Sequence, residues 1–326
     1  MDETPDGDDV QLSEQWRAWV VDNALEGVER DTLVATLVSG GIPGAVAERE
    51  VRQLLTEAPL SVYARYERRI RRLKNLVDLW HHTTVSKVDE TEQLPAAEVF
   101  FQRYFEPGRP LLIRQAATRW PALKRWSMDD LAQRFGDVPI EVEIGRDAAW
   151  NHEGRYVSAR LGEFIDDLRA NPNNDTYCIA RNNNIRRAEL AGLLDDIHVD
   201  PEWFDPDPQS IARGSSLWIG GRTTTPLHHD STHILFHQIV GRKRWTLLPP
   251  STASLVDDLD GYYYRPGLDG LPANVRRFEL TLSPGQALFV PAGWYHHVEA
   301  LELCVSFSLL NFRRPNDLSW FAPGKL

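Results

Sequence analysis

The stretch TTTPLHHDSTHILFHQIVGRKRW, residues 223 to 245, decides how the rest of the chain is interpreted. It holds four of the chain's ten histidines, an aspartate between them and a lysine shortly after. Side chains two residues apart on a strand point to the same face, so His228 and Asp230 share one face and His229 points away. Such a pair is either half of a metal site or a chance HxD, and spacing alone leaves both interpretations open.

A second double histidine occurs in PAGWYHHVEA, residues 291 to 300, directly after an apolar strand. Two imidazoles and one carboxylate on one side of an octahedron leave three positions open, which is the arrangement in non-haem Fe(II) oxygenases. His296 and His297 are the two candidates for the second imidazole, and the spacing does not choose between them.

Lys243 follows a short Gly241-Arg242 turn, on a strand that is predicted to pair back beside the HxD strand. A lysine that enters a barrel interior loses hydration, which is unfavourable unless it meets an anion. A metal with open positions and a buried cation nearby suit a dicarboxylate cosubstrate. One end of that molecule would chelate the metal, and the other end would pair with Lys243.

Short strands dominate the chain from about Val85 onward, because apolar or alternating runs are divided by turns rich in Gly, Pro and Asp. They are predicted at residues 110–114, 140–144, 176–180, 215–220, 233–240, 244–249, 276–282, 286–291 and 303–312. Helices are predicted mainly at 127–136 and 161–170, without regular strand–helix alternation. This pattern favours a mainly β fold, an antiparallel sandwich or barrel. The acidic stretch 193–208 is predicted to be a long surface excursion.

The first 80 or so residues are instead predicted to form short helices. Gly40-Gly41 is predicted to stop one helix and Pro43 to start the next. We therefore predict three regions: a disordered acidic tail at 1–11, a small N-terminal helical region at 12–84, and the site-bearing domain at 85–326. His81-His82 then lies in a solvated linker.

RYERRIRRLK, residues 65 to 74, has six basic residues against one acid. Apolar residues recur around it at helical spacing, from Tyr66 through Ile70 and Leu73 to Val77, so the segment is predicted to be an amphipathic helix with a basic outer face. The basic face is either simply solvated or docks an acidic partner, and the sequence leaves both open.

Composition narrows the class of protein. The chain has 326 residues and a net charge of −11, which makes the phosphate backbone of nucleic acid an unfavourable partner. No apolar run approaches the ~18 residues of a membrane span, and the acidic N-terminus is unlike an export signal. Two distant cysteines, Cys178 and Cys304, indicate a reducing compartment. We expect a cytoplasmic protein without membrane contact, of undetermined oligomeric state.

Several motifs in order carry a family resemblance: TPLHHD, FHQIVGRKRWTLLPP, SPGQALFVPAGWYHHVEAL and SLLNF. Together they resemble the cupin-like JmjC hydroxylases, which are Fe(II)- and 2-oxoglutarate-dependent oxygenases related to the asparaginyl hydroxylase that inhibits hypoxia-inducible factor. The resemblance runs from residue 109 to about Phe312, some two-thirds of the chain. It implies a double-stranded β-helix, or jelly roll, with flanking helices.

The resemblance also implies roles for individual residues. The family's iron ligands fall on His228, Asp230 and His296, because the family's distal histidine directly follows an aromatic pair, here Trp294-Tyr295. The family binds the far carboxylate of 2-oxoglutarate through one lysine and two hydroxyl donors, and these match Lys243, Thr225 and Tyr177. Asn311 matches an asparagine that lines the cosubstrate pocket. Ile234 departs from the family, which often has asparagine there.

The remaining histidines and tryptophans have ordinary interpretations. His229 and His297 are expected to pack on the outer face, and His233 and His237 alternate away from the ligand face. His233 could instead replace the missing asparagine locally. Trp218 and Trp245 are expected in the core, or else lining the substrate cleft.

The resemblance implies the chemistry as well. Fe(II), 2-oxoglutarate and O2 would hydroxylate an amino-acid side chain of a peptide or protein, with release of succinate and CO2. The alternatives are a cupin-type metal-binding module without turnover, a JmjC hydroxylase of RNA or a small molecule, and a cupin isomerase or dioxygenase with more histidine ligands. A dicarboxylate pocket with Lys243, Thr225 and Tyr177 argues against the binding module.

Overall fold

The computed structural model describes residues 11–25, 27–56, 66–77, 79, 87–145, 155–173, 175–178, 184–254, 259–260, 263–264, 267–273 and 275–316. The chain forms two compact units, Met1–Trp80 and His81–Leu326. Most of the predicted acidic tail, the linker histidines at 81–82 and the predicted boundary at 84/85 lie outside the described residues.

Three helices of the first unit enclose a small apolar core. They are α1 (Glu14–Leu25), α2 (Arg30–Ser39) and α3 (Gly44–Thr56). Their buried side chains include Val20, Leu33, Leu37, Ala47, Val51 and Leu54. The predicted stop after α2 is confirmed: the N–H of Gly40 donates to the Thr36 carbonyl and that of Gly41 to the Val38 carbonyl. Gly41 has a φ of 90°, which favours glycine.

Residues 66–77 form the predicted basic helix, here α4. Its apolar positions are not buried, however. Tyr66, Ile70, Leu73 and Val77 are 38–62% exposed. The helix is confirmed, whereas its docking of an acidic partner stays a prediction.

The second unit begins with short strands and helices that precede the jelly roll. They are β1 (Asp89–Thr91), α5 (Ala97–Phe100), a π-helical turn (Phe101–Phe105), β2 (Leu111–Ile113), α6 (Ala122–Arg125), α7 (Met128–Phe135), β3 (Pro139–Ile144), β4 (Arg155–Arg160), α8 (Leu161–Ala170), β5 (Tyr177–Cys178), two 3-10 helices (Asn184–Arg186 and Ala188–Asp196) and α9 (Pro208–Arg213). The helices predicted at 127–136 and 161–170 are confirmed as α7 and α8.

The strands that follow build the jelly roll itself. They are β6 (Ser215–Gly220), β7 (Thr224–His228), β8 (Ile234–Val240), β9 (Lys243–Leu248), β10 (Leu259–Asp260), β11 (Tyr263–Tyr264), β12 (Phe278–Leu282), β13 (Ala287–Val290), β14 (Tyr295–Ala300) and β15 (Cys304–Leu309). Two further 3-10 helices, Pro250–Ser254 and Leu268–Gly270, lie between β9 and β12.

Two main sheets face each other. The large sheet has the order β1-β2-β13-β8-β15-β6-β5-β3-β4, and the small sheet has the order β12-β9-β14-β7. Consecutive strands from β6 to β9 and from β12 to β15 alternate between the two sheets, which is the connectivity of a double-stranded β-helix. The predicted mainly β jelly-roll fold with flanking helices is therefore confirmed.

Strand alternation separates three apolar clusters. The inner cluster lies between the sheets and contains Leu112, Phe236, Trp245, Leu247, Leu282, Leu288, Val290, Trp294 and Val298. The other face of the large sheet packs on the helices through residues such as Leu235, Phe289 and Phe307. The other face of the small sheet packs on the segment after β9 through Leu227, Leu248 and Tyr295.

The predicted surface excursion at 193–208 is wrong for part of the segment, although residues 195, 198, 201, 202 and 205–208 are exposed. Trp203 and Phe204 pack in the large cluster beneath the helices. Asp196 is fully buried, with its carboxylate 2.7 Å from Arg125 Nη1, 3.2 Å from Arg134 Nη1 and 3.0 Å from Trp126 Nε1. Donors from other elements compensate its charge, so an acidic segment can lie inside.

None of the helices within the described ranges has both the length and the apolar character needed to cross a membrane.

Candidate metal centre

Three side chains meet on the inner face of the small sheet. His228 ends β7, Asp230 follows two residues later, and His296 is the second residue of β14. His228 and His296 are directly opposite each other in the ladder, with ring centroids 4.2 Å apart. Asp230 Oδ2 lies 3.6 Å from His296 Nε2. One ligand atom from each residue falls within 4.8 Å of the others, so the group could hold a metal ion.

Hydrogen bonds orient both imidazoles in the same way. His228 Nδ1 lies 2.8 Å from the Pro226 carbonyl oxygen, and His296 Nδ1 lies 3.0 Å from that of Trp294. A carbonyl oxygen only accepts, so each Nδ1 carries a proton, and Nε2 is the nitrogen that a metal would use. Burial, followed by the neighbouring His296, lowers the pKa of His228 to about 3. His228 is therefore neutral, the form that binds metals.

A tight turn holds the two ligand-bearing segments together. Gly293 has a φ of 79°, and its N–H donates to the Asp230 carbonyl over 2.9 Å. The N–H of Ala292 donates to His233 Nδ1 over 3.1 Å. The turn that starts β14 is thus bonded to the segment that follows β7, which fixes His296 relative to Asp230.

The neighbouring histidines of the small sheet point the other way. His297 pairs with Thr246, on the opposite face from the pair formed by His296 and Leu247. The His229 ring packs edge-on against Tyr295, with centroids 4.9 Å apart. The structure thus brings His296 to His228 and Asp230, and it places His229 and His297 on the outer face.

The two histidines near β8 pack on the helical side of the large sheet. The His237 ring packs against Trp120 with centroids 4.4 Å apart, and burial lowers its pKa to about 3. His233 lies 4.3 Å from the Phe105 ring, and burial lowers its pKa to about 4. His233 therefore does not take the place of the missing asparagine. Ile234 packs against the inner apolar cluster instead.

Lys243 is the buried cation of the interior. It is 2% exposed, and its Nζ donates to Tyr177 Oη over 2.9 Å. Three aromatic rings surround the ammonium: Phe236 at 5.0 Å, Tyr177 at 5.5 Å and Trp218 at 5.8 Å from their centroids. No carboxylate of the described residues lies within ion-pair distance of Lys243. Its hydration is lost without a charge partner, which is unfavourable by several kcal/mol.

Thr225 reaches the ligand face through an irregularity in β7. It lies three residues before His228, so strict alternation would place the two side chains on opposite faces. The ladder shifts, however: His296 pairs with His228, but Val298 pairs with Thr225. A β-bulge in β7 therefore returns Thr225 to the face of His228.

Asn311 lies just after β15. Its Nδ2 donates to the Asp205 carbonyl over 3.0 Å, and its Cβ packs close to Gly214. Its Oδ1 is buried without a hydrogen-bond partner among the described residues. These contacts do not involve Lys243 or the three candidate ligands, so a role for Asn311 in the cosubstrate pocket stays a prediction.

Phe236 and Trp218 beside Lys243 were not assigned to the pocket from the sequence. Phe236 could have been found, because it alternates with Ile234 on the inner face of β8. Trp218 was left open between core and cleft. It lies at the lysine end of the interior and donates from Nε1 to Ser308 Oγ over 3.0 Å.

Comparison with known proteins identifies the domain. Residues 96–317 match the family described as cupin-like domain. The chain is 27% identical over 65% of its length to Jumonji C domain-containing protein 5 of Drosophila melanogaster, covering 57% of that protein. It is 28% identical over 66% of its length to lysine-specific demethylase 8 of Xenopus tropicalis, covering 50% of that protein. It thus spans about half the length of these relatives.

A further relative is covered more completely. The chain is 24% identical over 64% of its length to the human bifunctional peptidase and (3S)-lysyl hydroxylase JMJD7, covering 78% of that protein. The family match, the jelly roll and the His-Asp-His group agree. The chain belongs to the cupin-like JmjC domain family, whose members use Fe(II), 2-oxoglutarate and O2.

Proposed function

We propose that this protein is an Fe(II)- and 2-oxoglutarate-dependent oxygenase that hydroxylates an amino-acid side chain of a peptide or protein. The observation that carries the proposal is the buried Lys243, whose Nζ contacts a phenol oxygen and no described carboxylate. A small dicarboxylate supplies the absent anion, and Tyr177 Oη can donate a second hydrogen bond to the same carboxylate.

The candidate ligands fit iron. Two imidazoles and one carboxylate are the donor set of the non-haem Fe(II) oxygenases, and His228, Asp230 and His296 would supply it. When bound, iron and 2-oxoglutarate activate O2 for insertion of one oxygen atom into a C–H bond, with release of succinate and CO2. The carbonyl oxygens of Pro226 and Trp294 fix the orientation of the two imidazole rings.

The surrounding residues keep water out and leave one side open. The inner cluster, with Trp245, Leu247 and Val298 beside the ligands, excludes water from the region between the ligands and Lys243. The Asp230 side chain is 25% exposed, whereas His228 and His296 are buried. The substrate side chain would therefore approach from the side of Asp230.

A metal-binding module without turnover is the alternative. Such a module needs His228, Asp230 and His296 but has no use for a buried ammonium. Removing Lys243 should even stabilise it, because an uncompensated buried charge is unfavourable. The contacts of Lys243 thus favour the oxygenase.

The substrate class rests on weaker support. The names of two relatives, lysine-specific demethylase 8 and (3S)-lysyl hydroxylase JMJD7, describe action on lysine. The net charge of −11 favours a basic peptide over a nucleic acid as partner. A basic segment of a protein is therefore the substrate we propose first.

The experiment is a turnover assay on the full chain. Purified protein with Fe(II), O2 and 2-oxoglutarate is incubated with arrays of basic peptides, and succinate and peptide mass are measured. We expect succinate release and a mass gain of one oxygen on selected peptides, both lost in His296→Ala. Loss of a methyl group from methylated peptides would indicate demethylation, and turnover on RNA alone would exclude a protein substrate. Wild-type protein that binds Fe(II) but neither binds 2-oxoglutarate nor forms succinate would refute the oxygenase and support the metal-binding module.

A further inference from the structure

Gly220 ends β6 directly beneath the Tyr177 side chain. It pairs with Tyr177 of β5 on one side and with Cys304 of β15 on the other. Gly220 is not among the glycines with positive φ, so its backbone conformation is open to any residue. The reason for glycine at this position must therefore be space.

The space is taken up by the tyrosine ring. A Cβ built on Gly220 would lie 2.6 Å from Cδ2 and 2.8 Å from Cε2 of Tyr177, and 3.1 Å from Cγ2 of Thr223. The first two distances are well inside van der Waals contact, so the ring or the strand would have to move. Tyr177 is only 2% exposed and packs near Trp218, with ring centroids 6.1 Å apart. A buried ring in a close-packed interior has little room to move.

The position of the ring decides where its hydroxyl lies. Tyr177 Oη is 2.9 Å from Lys243 Nζ, and such a bond weakens beyond about 3.2 Å. A ring shift of several tenths of an ångström would separate the phenol from the ammonium. We propose that Gly220 is a positioning residue of the cosubstrate pocket: its missing side chain lets the Tyr177 ring lie against β6 and places the phenol beside Lys243. This inference rests on the proposed function, since the paired groups bind the far carboxylate of 2-oxoglutarate.

The neighbouring Gly221 provides a matched control. A Cβ on Gly221 would meet Pro172, 2.9 Å from its Cα and 3.1 Å from its carbonyl carbon, and its three nearest neighbours are all atoms of Pro172. Both substitutions to alanine add one methyl group to adjacent buried glycines. Only the change at Gly220 presses on the ring beside Lys243.

The test measures the 2-oxoglutarate dissociation constant of Mn(II)-loaded full-length protein by calorimetry, where no turnover occurs. Gly220→Ala should weaken binding about 10- to 100-fold, the effect of losing a hydrogen bond in a charged site. Mn(II) affinity should not change. Gly221→Ala should lower the melting temperature while 2-oxoglutarate affinity stays within about threefold, because its added methyl group meets the backbone of Pro172 and not the ring beside Lys243.

Tyr177→Phe and Tyr177→Leu complete the experiment. If Gly220 acts through the phenol, Gly220→Ala has little further effect on 2-oxoglutarate affinity in the Tyr177→Phe background. If Gly220→Ala lowers the melting temperature or prevents folding, Tyr177→Leu should recover it, because the smaller side chain removes the clash.

Three results would overturn the inference. They are unchanged affinity in Gly220→Ala, a full additive loss in the Tyr177→Phe background, and no recovery of folding by Tyr177→Leu. Wild-type protein that fails to bind 2-oxoglutarate at all would instead refute the proposed function itself.

Discussion

Histidines on the inner and outer faces of the jelly roll differ in what surrounds them, although some are neighbours in sequence. His228 and His229 are equally buried, each 7% exposed. His228 faces His296 and Asp230, with its Nδ1 proton held by a carbonyl oxygen. His229 packs against the edge of Tyr295. Burial alone therefore does not mark a candidate metal ligand, whereas the strand face does.

Among the histidines, the largest expected effect is on metal binding by the second double histidine. His296→Ala removes a ligand on the inner face, and we expect Fe(II) or Mn(II) affinity to fall by ~100-fold or more, since even residues that only orient ligands account for 10- to 100-fold. His297→Ala removes a ring on the outer face and should change affinity little. Calorimetric titration of both variants with Mn(II) measures this difference.

The same pair of variants has a clear contrary outcome. If His297→Ala lost the metal and His296→Ala kept it, the assignment of the inner face would be wrong. Circular dichroism of both variants controls for unfolding.

The outer-face histidines should instead affect stability at low pH. Burial lowers the pKa of His237 to about 3, below the roughly 6.5 of the unfolded chain. The unfolded state therefore binds a proton that the folded state does not, and stability falls as pH drops from about 6.5 toward 3. Between pH 7 and pH 5 this group alone contributes a loss of about 2 kcal/mol.

Urea denaturation at pH 7, 6 and 5 measures that dependence. His237→Leu should be less sensitive to acid than the wild-type protein, because leucine takes up no proton. Identical slopes of stability against pH in the two proteins would show that His237 is not held neutral by its contacts with Trp120 and Phe307.

Much of the inner face was predictable, because alternation along a regular strand is local. His228 with Asp230 follows from a spacing of two residues, and Lys243 was predicted to enter the interior from its place after a turn. The predicted pairing of the Lys243 strand beside the HxD strand is wrong, because β14 lies between β9 and β7. The position of Thr225 was not predictable from alternation, since the β-bulge between β7 and β14 depends on how two distant strands pair. The choice of His296 over His297 likewise needed either the family resemblance or the ladder register.

Long-range contacts explain the errors and omissions. Acidic residues suggested a surface location for 193–208, but Asp196 meets Arg125 and Arg134 from distant positions in sequence. Gly220 carries no signal in sequence, because its role depends on the Tyr177 ring from another strand. His233 was left open because sequence does not show that Ala292 would donate to its ring.

The smallest expected effect concerns the first unit. We propose that residues 85–326 carry both the candidate metal ligands and the outer-face histidines. Deletion of residues 1–80 should therefore leave metal and 2-oxoglutarate affinities within about threefold. Affinity for the peptide substrate or solubility should decrease instead. Calorimetry on the shortened chain measures the first, and peptide hydroxylation kinetics measure the second. A large loss of 2-oxoglutarate affinity would show that the first unit contributes to the pocket.

The most direct test of the oxygenase proposal is the 2-oxoglutarate affinity of Lys243→Ala, measured on Mn(II)-loaded protein. Removing one partner of a buried charge pair costs about 2–5 kcal/mol, so we expect binding to weaken by roughly 30- to several-thousand-fold while Mn(II) content is unchanged. Lys243→Arg should recover only part of the affinity, because the planar guanidinium has a different reach. Equal 2-oxoglutarate affinity in the wild-type protein and Lys243→Ala would contradict the proposed role of this buried lysine.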